Sequence, residues 1–187
     1  MYMQYKVTEK ILGIGKKSHT IFNKKKRLVK IGGSLDARKK HIKKEVNVLY
    51  IEPKELDHYW GLVHFMLVEG LNFDGNPMSL KHLKEKISTG EYQLFMMFGS
   101  DDGEKYKVFG CFVTRIQQLP NFKQIEVILL KGEKREYWQK AAAKTIENLG
   151  RQYGCQRVAV LARPGWKNFL EPFGWKVKRY LYQKDLK

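Results

Sequence analysis

Residues 123–162 read KQIEVILLKGEKREYWQKAAAKTIENLGRQYGCQRVAVLA, and the order of patterns in them decides the fold. Lys123–Leu130 is a short run of mainly branched apolar residues, a strand. A helical pattern follows from about Glu133 to Tyr153. It turns Trp138, Ala141, Ala142, Thr145 and Leu149 inward and stops at Gly154. Val158–Ala162 is a strand again. Strand, helix, strand over this length is a right-handed crossover between parallel strands.

Working outward, Tyr106–Leu119 is a long strand joined to Lys123–Leu130 through Pro120-Asn121. Tyr92–Phe98 precedes it across the turn Gly99-Ser-Asp-Asp-Gly103. Three consecutive strands with tight turns pair antiparallel. Further upstream, Val46–Ile51 alternates as a strand, and Pro53 suits the first turn of a helix carrying Leu56, Trp60, Val63 and Leu67 at helical spacing. Residues 72–77 form a loop by composition. Ser79 then caps a helix with Leu80, Leu83 and Ile87 on one face and Gly90 as its stop. Downstream, Pro164–Phe173 reads as a short helix and Trp175–Gln183 as a last strand. The order is β-α-α-β-β-β-α-β-α-β, an α/β chain with a mixed sheet and helices on both faces. Its one parallel pair can part to admit a ligand at the C-terminal end of Lys123–Leu130.

The chain has 187 residues, 43% hydrophobic and 13% aromatic, enough for one well-packed domain. Lys and Arg number 36 against 19 Asp and Glu, a net charge of +17. Residues 1–45 hold 14 of the bases and only 3 acids. We therefore divide the chain into a basic N-terminal extension, 1–45, and a domain, 46–187. The extension suits nucleic acid or another polyanion, through phosphate neutralisation and counterion release, or serves as a solvated arm. Its fragment Gly13-Ile-Gly-Lys-Lys-Ser18 lacks the glycine spacing of a phosphate-binding loop. Cys111 and Cys155 give no disulfide framework, which points to a reducing compartment. The five histidines show no metal-ligand spacing, so no metal is expected. No apolar run reaches the roughly 20 residues that span a bilayer, so a soluble protein without a membrane partner is expected. No serine sits in a nucleophile elbow, and neither cysteine has neighbours that mark a nucleophile.

The element order resembles the GNAT acetyltransferase fold, and Asn168-Phe-Leu-Glu-Pro-Phe-Gly-Trp175 fills the slot of that family's last helix and turn. Gly110-Cys-Phe-Val-Thr-Arg-Ile116, Pro120, Trp138, Gly154-Cys155 and Ala162-Arg-Pro-Gly-Trp166 together resemble a narrower group. These are the small GNAT-like proteins encoded in structural-gene regions of tailed bacteriophages. The likeness spans about residues 46–187. It implies an acetyl-CoA-dependent N-acyltransferase, or a non-catalytic relative that keeps the fold and binds virion proteins or nucleic acid. The implied location is the infected bacterial cytoplasm or the virion.

The resemblance also implies site residues. The family seats pyrophosphate on backbone N–H groups at a helix N-terminus. The matching junction is Leu129-Leu-Lys-Gly-Glu-Lys-Arg-Glu136. The family signature Gln/Arg-x-x-Gly-x-Gly/Ala is reduced there to Gly132, so Leu129, Lys131, Gly132, Lys134 and Arg135 are the candidate cofactor contacts. Glu133 and Glu136 at the same place oppose an anion, or simply favour the helix dipole. Glu126 matches the family's general base, although its alternation with Ile125 and Val127 also suits a solvent-facing strand residue. The family's acid tyrosine is replaced by Leu170, leaving Tyr180 or Tyr182, of which Tyr182 is the candidate. Arg163 and Trp166, at a strand end where ligands gather in α/β sheets, are candidate cleft residues, with Trp166 equally able to anchor the core.

Overall fold

The computed structural model of the chain describes residues 45–72, 78–100, 105–162 and 164–178. Residues 1–44 of the basic extension, Arg163 and the two tyrosines of the final expected strand lie outside them. Strand β1 (Glu45–Ile51) leads through a 3-10 turn at Pro53–Glu55 into helix α1 (Leu56–Leu71) and then α2 (Leu80–Ser88). Strands β2 (Tyr92–Ser100), β3 (Lys107–Leu119) and β4 (Phe122–Gly132) follow, then α3 (Arg135–Gln152) and β5 (Arg157–Val160). Pro164–Trp166, a four-residue helix α4 (Lys167–Leu170) and Glu171–Phe173 make one irregular helical segment.

The five strands lie in the order β1-β2-β3-β4-β5, antiparallel except for the parallel pair β4–β5. This is the mixed sheet that the crossover at 123–162 requires. The last expected strand differs. Residues 175–178 form no strand, and the remainder of Trp175–Gln183 lies outside the described residues.

Each face of the sheet carries its own core. Leu56, Tyr59, Val63, Leu67 and Leu71 of α1, with Leu83 and Ile87 of α2, pack on Leu94, Met96, Cys111, Val113 and Leu129. Trp138, Ala142 and Ile146 of α3 pack on the other face against Phe95, Met97, Phe112, Ile125 and Val127. Phe95 and Phe112 stack with ring centroids 4.7 Å apart. Ser79 caps α2 as expected, its hydroxyl accepting the His82 N–H at 3.2 Å. The buried stripe of α3 is Trp138, Ala142, Ile146 and Gly150, one position round from the expected Ala141, Thr145 and Leu149, which are half-buried. Gly150 sets that rotation, because a Cβ there would stand 3.0 Å from Ile125 Cγ2. With no side chain at Gly150, the helix lies close to β4.

Candidate functional site

The site is built where β4 loses its outer neighbour. β5 pairs with β4 over four residues only, from Gln124–Arg157 to Val127–Val160. The next residue of β4, Ile128, is a bulge: Thr114 pairs with Val127 while Val113 pairs with Leu129. A bulge bends its strand and increases the local twist, and this one falls at the residue where the β4–β5 pairing has ended. Leu161 and Ala162, which follow β5, are exposed. Among the described residues no strand pairs with the outer edge of Leu129–Gly132. The Glu133 N–H bonds the Phe109 oxygen at 2.8 Å, on the β3 side. By the alternation of an antiparallel strand, the N–H and C=O groups of Leu130 and Gly132 then point outward into the opening.

Glu126 lies one residue before the parting, on the α1/α2 face. It is not a plain solvent-facing residue. Arg115, directly opposite on β3, holds Oε2 through both Nε and Nη2 at 2.7 Å. Nη1 of the same guanidinium reaches the Tyr92 hydroxyl at 3.4 Å. The Arg115 and Glu126 side chains keep 33% and 22% of their surface exposed, so the pair is half-desolvated. The Oε1 atom has no bond to another described residue. The next rung on the same face is also polar, with Gln124 donating to Gln117 at 2.8 Å. Arg115 was legible, since counting back equally from the tight turn at 120–121 sets it opposite Glu126.

The α3 start is the place where the resemblance implies a phosphate seat. The helix begins at Arg135, two residues later than expected. Glu133 is held in the sheet by the Phe109 bond, and its carbonyl accepts Trp138 Nε1 at 2.7 Å. Lys134, the N-cap, is left-handed with φ 49° and makes no side-chain cap bond. This is a conformation in which glycine is unstrained and lysine is not. The first N–H groups of α3 are orphans of the helix, as at any helix start. Lys131 turns elsewhere, its Nζ 3.1 Å from Glu69 of α1 on the opposite face of the sheet. Leu129 is a core residue packed under Gly70, where a Cβ would meet its side chain at 2.9 Å. Gly132 is needed by packing. A Cβ there would lie 2.7 Å from the Phe109 oxygen, 3.0 Å from Gly110 Cα and 3.2 Å from Trp138. The glycine that survives from the signature is thus explained without an anion.

Arg135 and Trp166, read separately from the sequence, come together. The Arg135 guanidinium lies 3.2 Å over the Phe169 ring and 5.8 Å from the Trp166 ring centre. Trp166 packs against the α3 core, so its anchoring role is observed. Phe169 was missed, because a partner from a four-residue helix has no periodicity to reveal it. Arg163 and Tyr182 lie outside the described residues. Burial pushes the Cys111 thiol up to about 12, which makes it inert. No group of three or more described His, Cys, Asp or Glu stands where it could hold a metal, and no described helix is long and apolar enough to cross a membrane. Two open clefts lie away from the opening. One of about 360 Å³ sits between Leu56 and Lys84, and one of about 420 Å³ lies between Arg157 and Trp175.

No protein-family model matches the chain, and no curated protein is detectably similar to it. Solved structures are similar in shape. A predicted acetyltransferase from Clostridium acetobutylicum, crystallised with acetyl-CoA, superposes with a TM-score of 0.54 at 8% identity, over 75% of this chain and 96% of its own. A GCN5-related N-acetyltransferase from Ralstonia eutropha gives 0.56 at 13% identity, over 75% and 99%. Glucosamine-6-phosphate N-acetyltransferase from Arabidopsis thaliana gives 0.53 at 15%, over 77% and 100%. At these identities the likeness establishes architecture, and the chain has the fold of the GNAT N-acetyltransferases.

Proposed function

We propose that the chain is an N-acyltransferase that takes its acyl group from acetyl-CoA. The observation that carries this reading is the end of the β4–β5 pairing at Val127, one residue beyond Glu126. The outward backbone groups of Leu130 and Gly132 are spaced to pair with an extended diamide such as pantetheine, as a missing strand would. The orphan N–H groups at the α3 start, with Arg135 beside them, suit its pyrophosphate. Bound there, acetyl-CoA supplies an activated thioester. An acceptor amine entering from the α1/α2 face would meet Glu126, whose Oε1 would take its proton while Arg115 holds Oε2 in place. The new amide C–N bond would replace the thioester C–S bond, and coenzyme A would leave as the thiolate and take its proton from solvent. Arg115 acts through Glu126 and is a positioning residue.

A second reading, a non-catalytic protein that retains the fold, is favoured by the weak phosphate seat. Lys131 is committed to Glu69, no glycine relieves Lys134, and Glu133 and Glu136 stand exposed at the same junction. The narrower assignment to phage-encoded proteins, acting in the infected cell or carried in the virion, rests on the sequence resemblance of Gly110–Ile116, Trp138 and the 154–166 segment.

Calorimetric titration with acetyl-CoA tests the proposal, with micromolar binding expected. Absence of heat at millimolar ligand overturns it. Thiol release with a panel of primary amines then separates the two readings. The enzyme shows turnover that falls about 10²- to 10⁴-fold in Glu126→Gln, the usual contribution of a general base. Binding without release on any amine supports the non-catalytic reading.

A further inference from the structure

The 420 Å³ cleft lies at the opposite end of β5 from the parting. It is walled by Arg157 and Val158 at the strand's start, Glu147 of α3, and the segment Phe173–Lys178. Gly174, left-handed with φ 81°, swings the chain so that Trp175, Lys176 and Lys178 border the cleft. Phe173 and Trp175 are half-buried in its wall, and Arg157, Lys176 and Lys178 are exposed at its rim.

The charges at this rim are not balanced. Lys54, Lys84, Lys86, Lys131 and Lys167 each sit within 4 Å of a carboxylate, whereas Lys81, Lys123, Lys140 and Lys144 are singly placed cations with none among the described residues. Arg157, Lys176 and Lys178 have no carboxylate partner among the described residues. Glu147, the one acid in the wall, is taken by Arg151 at 3.1 Å. The Arg157 guanidinium instead lies 3.8 Å over the Phe122 ring, which holds it at the rim.

Uncompensated cations around a cleft with aromatic walls favour a ligand that alternates anionic and flat apolar groups. We infer that this cleft binds single-stranded nucleic acid, with Lys176, Lys178 and Arg157 on phosphates and Trp175 and Phe173 against bases. A duplex hides its base faces and fits poorly. The inference does not rest on acyl transfer, since the cleft and the opening are at different ends of β5.

Fluorescence anisotropy of a labelled 15-residue oligothymidylate, titrated with the full chain across a salt series, tests it. Two variants run alongside: Lys176→Ala/Lys178→Ala at the cleft, and a four-alanine replacement of Lys24–Arg27 in the extension. The cleft double variant is expected to weaken binding about tenfold at low salt. It should lower the slope of log affinity against log salt by about 1.4, two phosphates at about 0.7 each. The extension variant is expected to retain that part of the slope. Unlabelled single strand should compete better than duplex, and saturating coenzyme A should not compete. The proposal is overturned if the cleft variant matches wild type in affinity and slope, if the wild type does not bind, if duplex competes equally, or if coenzyme A displaces the oligonucleotide. Circular dichroism and unfolding of the cleft variant, both solvent-exposed substitutions, confirm that it folds.

Discussion

Replacing Gly132 by alanine places a Cβ 2.7 Å from the Phe109 carbonyl oxygen, 3.0 Å from Gly110 Cα and 3.2 Å from Trp138 Cζ2. Two of these neighbours are backbone atoms of the adjoining strand and cannot rotate aside. The third belongs to an indole held by its bond to the Glu133 carbonyl. The β3–β4 ladder must therefore open by several tenths of an ångström at the rung where Gly110 faces Gly132. Overpacking of this kind costs about 1–3 kcal/mol. Loss of glycine's freedom in the unfolded chain returns about 0.4–1 kcal/mol. The net destabilisation is about 1–2 kcal/mol, which for a chain of this size lowers Tm by roughly 2–8 °C. Urea unfolding followed by circular dichroism reads it directly as a lower midpoint. Gly110→Ala meets the Lys131 oxygen at 2.5 Å and Gly132 Cα at 2.8 Å, and should cost at least as much. The two substitutions share one contact, so their effects should not add. A Gly132→Ala midpoint equal to wild type would refute the packing account and return this glycine to the ligand.

Three further outcomes follow from the same structure. Glu126→Gln removes the countercharge of the half-buried Arg115 guanidinium while keeping an acceptor oxygen, and should cost about 1–2 kcal/mol, between the exposed and buried limits for an ion pair; additivity with Arg115→Met in a double-mutant cycle would show the pair is not coupled. Lys134→Gly should raise stability by about 0.5–1 kcal/mol, the left-handed penalty less the entropy of glycine, whereas a lower Tm would show that φ 49° is not strained. Burial raises the Cys111 thiol from its ordinary 9.0 to about 12, so the contribution of the protonated thiol is intact below pH 9 and is lost as pH rises toward 12. Over that window stability should fall by about 1.4 kcal/mol per pH unit on account of this group, a slope that Cys111→Ala removes; an unchanged slope in that variant would assign the alkaline limb to other groups.

The fold was largely legible because its signals are local. The tight turn at 120–121, the apolar spacing of 56–67 and the strand-helix-strand order of 123–162 fix the neighbours and the direction of each strand. What was not legible depends on register. Counting from the turn sets Gly132 opposite Phe109, and the bulge at Ile128 shifts it by one to Gly110. Nothing in the run Val127-Ile-Leu-Leu130 announces that bulge, so the packing role of Gly132 and the parting beyond Glu126 could not be read. The α3 stripe slipped by one position for a similar reason. Small residues fill both Ala141 and Ala142, and only contact with Ile125 shows which of the two sides is buried. Glu126 was found by resemblance, and its partner Arg115 follows from counting back from the turn, because that rung lies before the bulge.

Hydrogen exchange of the Leu130 and Gly132 amides, with and without saturating acetyl-CoA, tests the central claim most directly. Their N–H groups point into the opening left by β5. If the cofactor lies there as a surrogate strand, both amides should slow by at least about tenfold while those of Lys131 and Leu129, already paired to β3, change little. Binding that leaves the exchange of Leu130 and Gly132 unaltered would contradict the account and place the cofactor elsewhere on the fold.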